Sequence, residues 1–273
     1  MTVDRLGFGA MRLARNGMGD TGTRDPETAR AVLRRAVELG VNHIDTADFY
    51  RSPDGAVLAN DLIHEALSPY PKGLVVATKV GPIFGPQDPT QGSASDLRAA
   101  VEANLAALGV DQLDLVYLRI GWREPPHGES LSERFELLAA MREEGLIRHL
   151  ALSNVDETHL VEAQSIAPIV AIQNLFDPGN PDEVALARRT AHEGIAFVPF
   201  GPLGSGRGST RDQTYAAIGQ RHHANPAQVA LAHLLTLFPN ALAIPGTGSL
   251  AHLKENVAAR SLVLGPDDLA ALS

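Results

Sequence analysis

Two groups that could exchange a proton stand close together in the segment DTADFY, residues 45–50. Asp45 and Tyr50 follow the apolar stretch VNHI, which is typical of a buried strand. One interpretation is ordinary: the acid caps a helix, as Asp often does, and the ring packs against the core. The other is a site of proton transfer at the exit of a strand, and the rest of the chain must decide between the two.

Several other apolar runs of the chain also end in a residue that is unusual for a buried strand. Each alone could be a snorkelling side chain, a partner for the backbone or a core ring. Their repeated position at strand ends favours a common site. The runs LVVATK, LDLVYLR, HLALSN, IVAIQN and IAFVPF end in Lys79, Arg119, Ser153 with Asn154, Gln173 with Asn174, and Phe200.

This set of residue types suits the reduction of a carbonyl group. A tyrosine hydroxyl releases its proton only near pH ~10, and a neighbouring ammonium makes the release easier. Tyr50, Lys79 and Asp45 therefore predict a proton donor for a developing alkoxide. An alkoxide forms when hydride attacks a carbonyl, so the expected cofactor is a nicotinamide nucleotide.

Four of the other strand-end residues suit the cofactor itself. Ser153, Asn154 and Gln173 offer hydroxyl and amide groups for a carboxamide, and Phe200 offers a flat face for a ring. These groups are expected to reach one another only if their strands end at the same edge of one sheet.

The pattern of helices and strands predicts such a sheet. A helical pattern ends in glycine before a β-branched run four times, at Gly40, Gly109, Gly145 and Gly194. One helix is predicted to begin at Asp25 and Pro26, as N-cap and first-turn proline, and another at Ser95.

The strand candidates are continuously apolar, which is typical of a parallel sheet covered by helices. Eight strand–helix units in 273 residues predict a (β/α)8 TIM barrel of the α/β class, a parallel eight-stranded barrel with outer helices. A doubly wound open sheet is the second choice, because GFGAMR after the first strand does not complete a GxGxxG turn. No linker divides the chain, so residues 1–273 are expected to form one domain.

Composition excludes several classes of function. The chain has no cysteine, which removes disulfides, thiolate metal sites and thiol nucleophiles. Its formal net charge of −9 argues against non-specific nucleic-acid binding. No signal peptide, membrane span or paired histidine motif is recognisable. We expect a cytoplasmic monomer or weak homo-oligomer that binds a small-molecule carbonyl substrate, without nucleic acid, membrane or metal.

Nearly the whole chain resembles the aldo-keto reductases. The matching segments include LGFGAMRL, GVNHIDTADFY, VATKVG, LDLVYLR, GLIRHLALSNV, VAIQN, FVPFGPLGSG and IPGTGSLAHLKENVAA. The resemblance implies the eightfold barrel and a catalytic tyrosine paired with a lysine and an aspartate, here Tyr50, Lys79 and Asp45. It also implies NADP(H) as the cofactor, with NAD(H) as an alternative.

The resemblance assigns the cofactor contacts to three groups of residues. Ser153, Asn154 and Gln173 match the positions that hold the carboxamide, and Phe200 matches the aromatic that stacks on the nicotinamide. Two loops match those over the pyrophosphate and the adenosine phosphate, and their residues are Leu203, Gly204, Gly206, Pro245, Gly246, Thr247, Gly248, Ser249, His252, Glu255 and Asn256.

The chain departs from the family pattern in its amino-terminal hairpin and its carboxyl-terminal loop, which are both shortened, and at two places in the expected site. Arg119 stands where most members carry a histidine, and arginine cannot change its charge near neutral pH. Arg119 is expected to orient and polarise the carbonyl oxygen. Gly246 and His252 stand where strongly NADP-selective members carry a basic pair, so a preference for NADP(H) is implied by the resemblance alone.

The arginine variant looks most like the bacterial pyridoxal reductase branch, also called pyridoxine 4-dehydrogenase, which reduces pyridoxal with NADPH. Two alternatives stay open. Some relatives are cofactor-binding regulatory subunits of ion channels with little turnover. A tailoring reductase for a larger ketone in secondary metabolism would suit the shortened carboxyl-terminal loop.

Overall fold

A parallel sheet of seven strands forms the centre of the molecule. The computed structural model describes residues 2–15, 22–83, 90–121, 128–176, 181–201 and 212–272. The strands are β1 Phe8–Gly9, β2 His43–Asp45, β3 Val75–Val80, β6 Leu113–Arg119, β7 Ile147–Ser153, β8 Ile169–Gln173 and β9 Ala196–Phe197. They follow the order β1-β2-β3-β6-β7-β8-β9, and every pair is parallel. A separate antiparallel pair joins β4 Pro82–Ile83 to β5 Thr90–Gln91.

Residues 241–243 close this sheet into a barrel. Ala243 bridges Leu6 beside β1, and Ala241 bridges Phe197 in β9, both in parallel. The backbone N–H of Gly7 donates to Ala243 O at 2.8 Å, which completes the seam. The eighth strand is therefore reduced to short bridges, and the predicted (β/α)8 barrel is confirmed.

Helices cover the outside of the barrel between successive strands. They are α1 Met11–Ala14, α2 Pro26–Glu38, α3 Ala59–Leu67, α4 Ala94–Leu108, α5 Ser132–Glu143, α6 Glu157–Ile166, α7 Pro181–His192, α8 Asp212–His222, α9 Pro226–Leu237, α10 Leu250–Ala258 and α11 Pro266–Leu272. A 3₁₀ turn spans Ala259–Ser261.

The local signals for the helix ends mostly hold. The four predicted glycine stops all adopt positive φ, between 64° at Gly109 and 85° at Gly40 and Gly145. Asp25 caps α2 by accepting from Thr28 N. The predicted start at Ser95 is wrong by two residues: Ser93 is the N-cap of α4, and Asp96 closes a capping box with it.

The core has two parts, one inside the barrel and one between the barrel and its helices. The inner cluster consists largely of small and branched side chains that fill the tapered interior, namely Ala77, Leu115, Tyr117, Ala151, Ala171, Val198 and Ile244. The larger outer cluster buries the apolar faces of the helices against the strands. Among the described helices, none is long and apolar enough to cross a membrane.

Candidate active site

The carboxyl ends of five strands carry polar side chains on the inner face of the barrel. Side chains two residues apart in a strand point to the same face. Lys79, Arg119, Ser153 and Gln173 therefore share a face with the inner cluster, because Ala77, Tyr117, Ala151 and Ala171 each stand two positions earlier. The polar set at this mouth comprises Asp45, Lys79, Arg119, Ser153 and Gln173, and all five are buried.

Lys79 and Asp45 form a buried ion pair. Their exposed fractions are 1% and 2%, and Lys79 Nζ lies 2.6 Å from Asp45 Oδ1. The ammonium also donates to the backbone oxygen of Thr46 at 2.8 Å. Gln173 Nε2 donates to the second carboxylate oxygen at 2.6 Å. Both oxygens of Asp45 therefore accept a hydrogen bond, and the lysine is held in one place with its charge balanced.

Tyr50 lies against this pair. The ammonium of Lys79 is 4.8 Å from the centroid of the tyrosine ring. Tyr50 is half-buried, and its ring meets Phe49 edge-on at 5.3 Å. Its backbone N–H donates to Ala47 O at 3.2 Å, which turns the chain back over the mouth of the barrel. An ammonium has three donors, and two of those of Lys79 go to Asp45 and Thr46.

Arg119 connects the cluster of Asp45, Lys79 and Tyr50 to the residues expected to bind the cofactor. Its Nη1 donates to Ser153 Oγ at 3.0 Å, and its guanidinium carbon lies 4.9 Å from the centroid of the Phe200 ring. Burial lowers the pKa of Arg119 from its ordinary value, while the nearby Tyr50 and Asp45 raise it. The guanidinium therefore contacts both a hydroxyl and an aromatic face while staying within electrostatic reach of the tyrosine.

The three residues expected to hold a carboxamide are neighbours in space. Ser153 pairs with Gln173 in the register of β7 and β8. Asn154 follows at a left-handed φ of 60°, a conformation that costs free energy for a side-chain-bearing residue and often marks functional sites. Its Nδ2 donates to Ile120 O at 2.7 Å. A hydroxyl beside two amide side chains offers both donors and acceptors, which is what a primary carboxamide requires.

The segment Pro245–Ser249 crosses the same end of the barrel and leads into α10. Ser249 caps this helix by accepting from His252 N, and Ser249 N donates to Thr247 Oγ1 at 3.0 Å. Asn256 is buried, whereas His252 is exposed.

Glu255, one of the expected cofactor contacts, has a hydrogen-bond partner within the protein. The carboxylate of Glu255 accepts a hydrogen bond from Asn225 Nδ2 at 3.0 Å, so it braces the start of α9. The predicted pyrophosphate residues Leu203, Gly204 and Gly206 lie outside the described residues.

Backbone packing shows that the loop fits closely against β1. A Cβ atom at Gly246 would stand 2.7 Å from Gly9 O, and a Cβ at Gly9 would stand 2.7 Å from Ile244 O. Only glycine tolerates such close approach at both positions. The hydrogen-bond donors at the mouth of the barrel, together with this close-fitting loop, form a site that suits a nicotinamide dinucleotide.

Sequence reasoning missed two polar residues inside the barrel. His43 lies two residues before Asp45 on the same face, and burial lowers its pKa from the ordinary value. Neither of its nitrogens has a hydrogen-bond partner among the described residues. Burial raises the pKa of Tyr117 well above its ordinary value, although the nearby Gln173 opposes this. The period-two pattern in HID and in YLR was the signal that could have found both.

Asp48 was also missed, and it predicts a pH-dependent stability. Burial raises the pKa of its carboxyl to about 7, against opposing effects that include those of Arg51 and Lys79. The folded state therefore keeps a proton between about pH 4 and pH 7 that the unfolded state has lost, so stability falls as pH rises through this window. Asp48→Asn is expected to raise the free energy of unfolding at about pH 8 by up to about 4 kcal/mol.

Urea denaturation of both proteins at about pH 5 and pH 8 measures this effect. Asp111→Asn, at an exposed position, is the control and is expected to follow the unmodified chain. An equal stability of the Asp48→Asn variant and the unmodified chain at both pH values would contradict the role given to this carboxyl.

The fold and the mouth of the barrel define a class of proteins. Residues 5–273 match the Aldo/keto reductase family, and the chain belongs to this family. It is an oxidoreductase that acts on carbonyl or alcohol groups. The chain is 44% identical over 287 residues to pyridoxine 4-dehydrogenase of Escherichia coli (strain K12), covering 99% of this chain and 94% of that protein. It is 38% identical to an uncharacterised oxidoreductase of Schizosaccharomyces pombe, covering 100% of this chain and 86% of that protein.

Solved structures show the same fold. A thermostable aldo-keto reductase in complex with the inhibitor epalrestat superposes with a TM-score of 0.82 at 28% identity, covering 99% of this chain and 94% of that one. An aldo/keto reductase of Klebsiella pneumoniae, in complex with NADP and acetate, gives 0.79 at 24% identity, covering 99% and 90%.

Proposed function

We propose that this chain is an NADP(H)-dependent reductase that converts an aldehyde or ketone to an alcohol, with pyridoxal as its substrate. The observation that carries the proposal is the buried ammonium of Lys79, which lies 2.6 Å from Asp45 Oδ1 and 4.8 Å from the ring centroid of Tyr50. An amine fixed between a carboxylate and a phenol stabilises the negative charge that the phenol acquires when it gives up its proton.

In this proposal the residues of the chain carry out the proton half of the reaction. The hydroxyl of Tyr50 donates its proton to the carbonyl oxygen of the substrate, and that oxygen becomes the alcohol. Lys79 stabilises the phenolate left behind, and Asp45 holds the ammonium in place. A bound NADPH would supply the hydride for the carbonyl carbon. Solvent then returns a proton to Tyr50.

Ser153, Asn154 and Gln173 would hold the carboxamide of the cofactor, and Phe200 would face its ring. The hydroxyl of Ser153 already accepts from Arg119 at 3.0 Å, so its own hydrogen is directed to another acceptor. Because the donor is charged, the hydroxyl is polarised and becomes a stronger donor in turn. Pro245–Ser249 and the start of α10 would face the adenosine end.

Arg119 is expected to serve both the carbonyl and the cofactor. Arg119→Met removes the hydrogen bond to Ser153 and the cation beside Phe200, so we expect the Kd of NADPH to rise roughly tenfold and kcat/KM to fall roughly tenfold to a hundredfold. Arg119→Lys, which keeps the charge, should recover part of both. Arg148→Met, at a more exposed site, is the control. An unchanged Kd for NADPH in Arg119→Met would show that Arg119 acts on the carbonyl and not on the cofactor.

Pyridoxal is proposed because the chain is 44% identical to pyridoxine 4-dehydrogenase of Escherichia coli over almost its whole length. The test is a screen of purified protein against aldehydes and ketones, including pyridoxal, with NADPH and NADH as reductants. We expect oxidation of NADPH with pyridoxal and formation of pyridoxine. Reduction of bulky ketones alone would favour a tailoring reductase. Tight NADPH binding without turnover of any compound would favour a cofactor-binding regulatory subunit.

A further inference from the structure

The loop expected to face the adenosine end of the cofactor carries no positive charge of its own. Residues 245–249 read PGTGS. His252 and Lys254, on the first turns of α10, are both exposed. A cofactor with a phosphate on its adenosine ribose would be distinguished from one without it by a cationic donor at this place. Nothing within the loop provides one.

The structure brings an arginine from a distant part of the chain onto this loop. Arg24 lies just before the N-cap of α2, and its Nη1 donates to Gly248 O at 3.1 Å, across 224 positions of sequence. The contact is close: a Cβ atom at Gly248 would stand 2.1 Å from Arg24 Cζ. The guanidinium therefore packs directly over the glycine, and a larger residue there would displace it.

The base of the Arg24 side chain is fixed. Its backbone N–H donates to Ala14 O at 3.4 Å, and the following residue, Asp25, caps α2. Arg15 and Thr23 form an antiparallel bridge that ties the segment together. Arg24 is consequently held at the loop by elements on two sides of it.

The charge of Arg24 has no carboxylate partner in the described ranges. No aspartate or glutamate oxygen there lies within 4.0 Å of it, and Asp25 instead accepts from Thr28. A guanidinium has five N–H donors. One of them goes to Gly248, Arg24 Nε is buried without a partner among the described residues, and Nη2 is left for an external acceptor.

We propose that Arg24 is the residue that selects a phosphorylated over an unphosphorylated adenosine ribose, and hence NADP(H) over NAD(H). The inference rests on the proposed function, because it takes the segment Pro245–Ser249 as the adenosine side of the cofactor site. In this proposal Arg24, which barrel closure brings from the segment before α2, takes the place of the basic pair that the loop lacks. Its guanidinium forms hydrogen bonds to the phosphate, and Gly248 leaves room for the guanidinium.

Binding measurements on the purified full chain test this role without turnover. The ligands are NADPH and NADH, together with the non-redox pair adenosine 2′,5′-bisphosphate and AMP. Arg24→Gln is expected to raise the Kd of NADPH and of the bisphosphate on the order of tenfold to a hundredfold. It should leave the Kd of NADH and of AMP within about twofold. Arg24→Lys should retain most of the discrimination. Arg34→Gln, on α2 in an exposed position, is the control.

A second variant keeps the test informative if Arg24→Gln folds poorly. Gly248→Ala leaves the arginine in the sequence and displaces its guanidinium, so it should also weaken NADPH more than NADH. An equal rise of the Kd of both cofactors in these variants would show that Arg24 only supports the loop, and would overturn the proposal. Unchanged Kd values for both cofactors would overturn it too. If the unmodified chain binds neither cofactor, the proposed function itself fails.

Discussion

Tyr50→Phe is expected to lower kcat for carbonyl reduction by roughly 10²–10⁴-fold, to the limit of detection for slow substrates. The change removes one hydroxyl and leaves the ring that faces Lys79 at 4.8 Å. The ion pair below it keeps all of its hydrogen bonds, because Lys79 donates to Asp45 and Thr46 rather than relying on the phenol. The Kd of NADPH should therefore stay within about threefold of the unmodified value.

Steady-state kinetics and cofactor titration of the same preparation separate these two effects. Tyr70→Phe is the matched control, since the hydroxyl of Tyr70 donates to Leu108 O at 2.7 Å, in a loop packed against α4. It is expected to lose some stability and no activity. Turnover close to normal in Tyr50→Phe would show that Tyr50 is not the proton donor, and the proposed reaction would then have no proton donor.

Lys79→Met has the second large effect, on activity and on stability together. Loss of the ammonium should lower kcat roughly 10²–10³-fold, which is the usual cost of removing one preorganised charged or polar group. It also removes one partner of a buried ion pair and leaves the carboxylate of Asp45 without its counter-ion, which should cost about 3–5 kcal/mol of the free energy of unfolding. The Gln173 hydrogen bond to Asp45 at 2.6 Å remains and offsets only part of this.

The double variant Asp45→Asn with Lys79→Met distinguishes the two causes. Removing both charges should restore much of the stability, because no unpaired buried charge is left. Activity should stay as low as in Lys79→Met, because the ammonium is what stabilises the phenolate. Recovery of activity along with stability would mean that Lys79 serves the fold and not the reaction. Denaturant unfolding and kcat, measured on the unmodified chain, on each single variant (Asp45→Asn and Lys79→Met) and on the double variant, give the complete cycle.

The sequence by itself determined the fold and the end of the barrel at which the polar strand-end residues meet. Glycines at Gly40, Gly109, Gly145 and Gly194 mark helix ends through backbone sterics, which is a local property. Continuously apolar strands require cover on both faces and so predict a parallel barrel. In such a barrel the carboxyl ends of all strands meet at one rim, and the polar strand-end residues had to gather there. That residues 1–273 form one domain stays a prediction.

Local signals were weaker where two side chains compete for the same role. Ser93 and Ser95 are both good N-cap residues, and the sequence alone favoured the wrong one. Ser93 wins because Asp96 stands at the position that returns a hydrogen bond to it. The cap of α4 is thus decided by a reciprocal pair, and no single residue determines it.

Only the tertiary structure decided which of the gathered groups touch. Gln173 was expected to serve the cofactor, yet its amide reaches Asp45 across 128 positions of sequence. Arg119 was expected to face the carbonyl, and it also contacts Ser153 and Phe200. Arg24, which the sequence did not single out, lies on Gly248. Such contacts depend on strand register and on rotamers selected by close packing after the barrel closes, and neither is encoded in a local pattern of residue types.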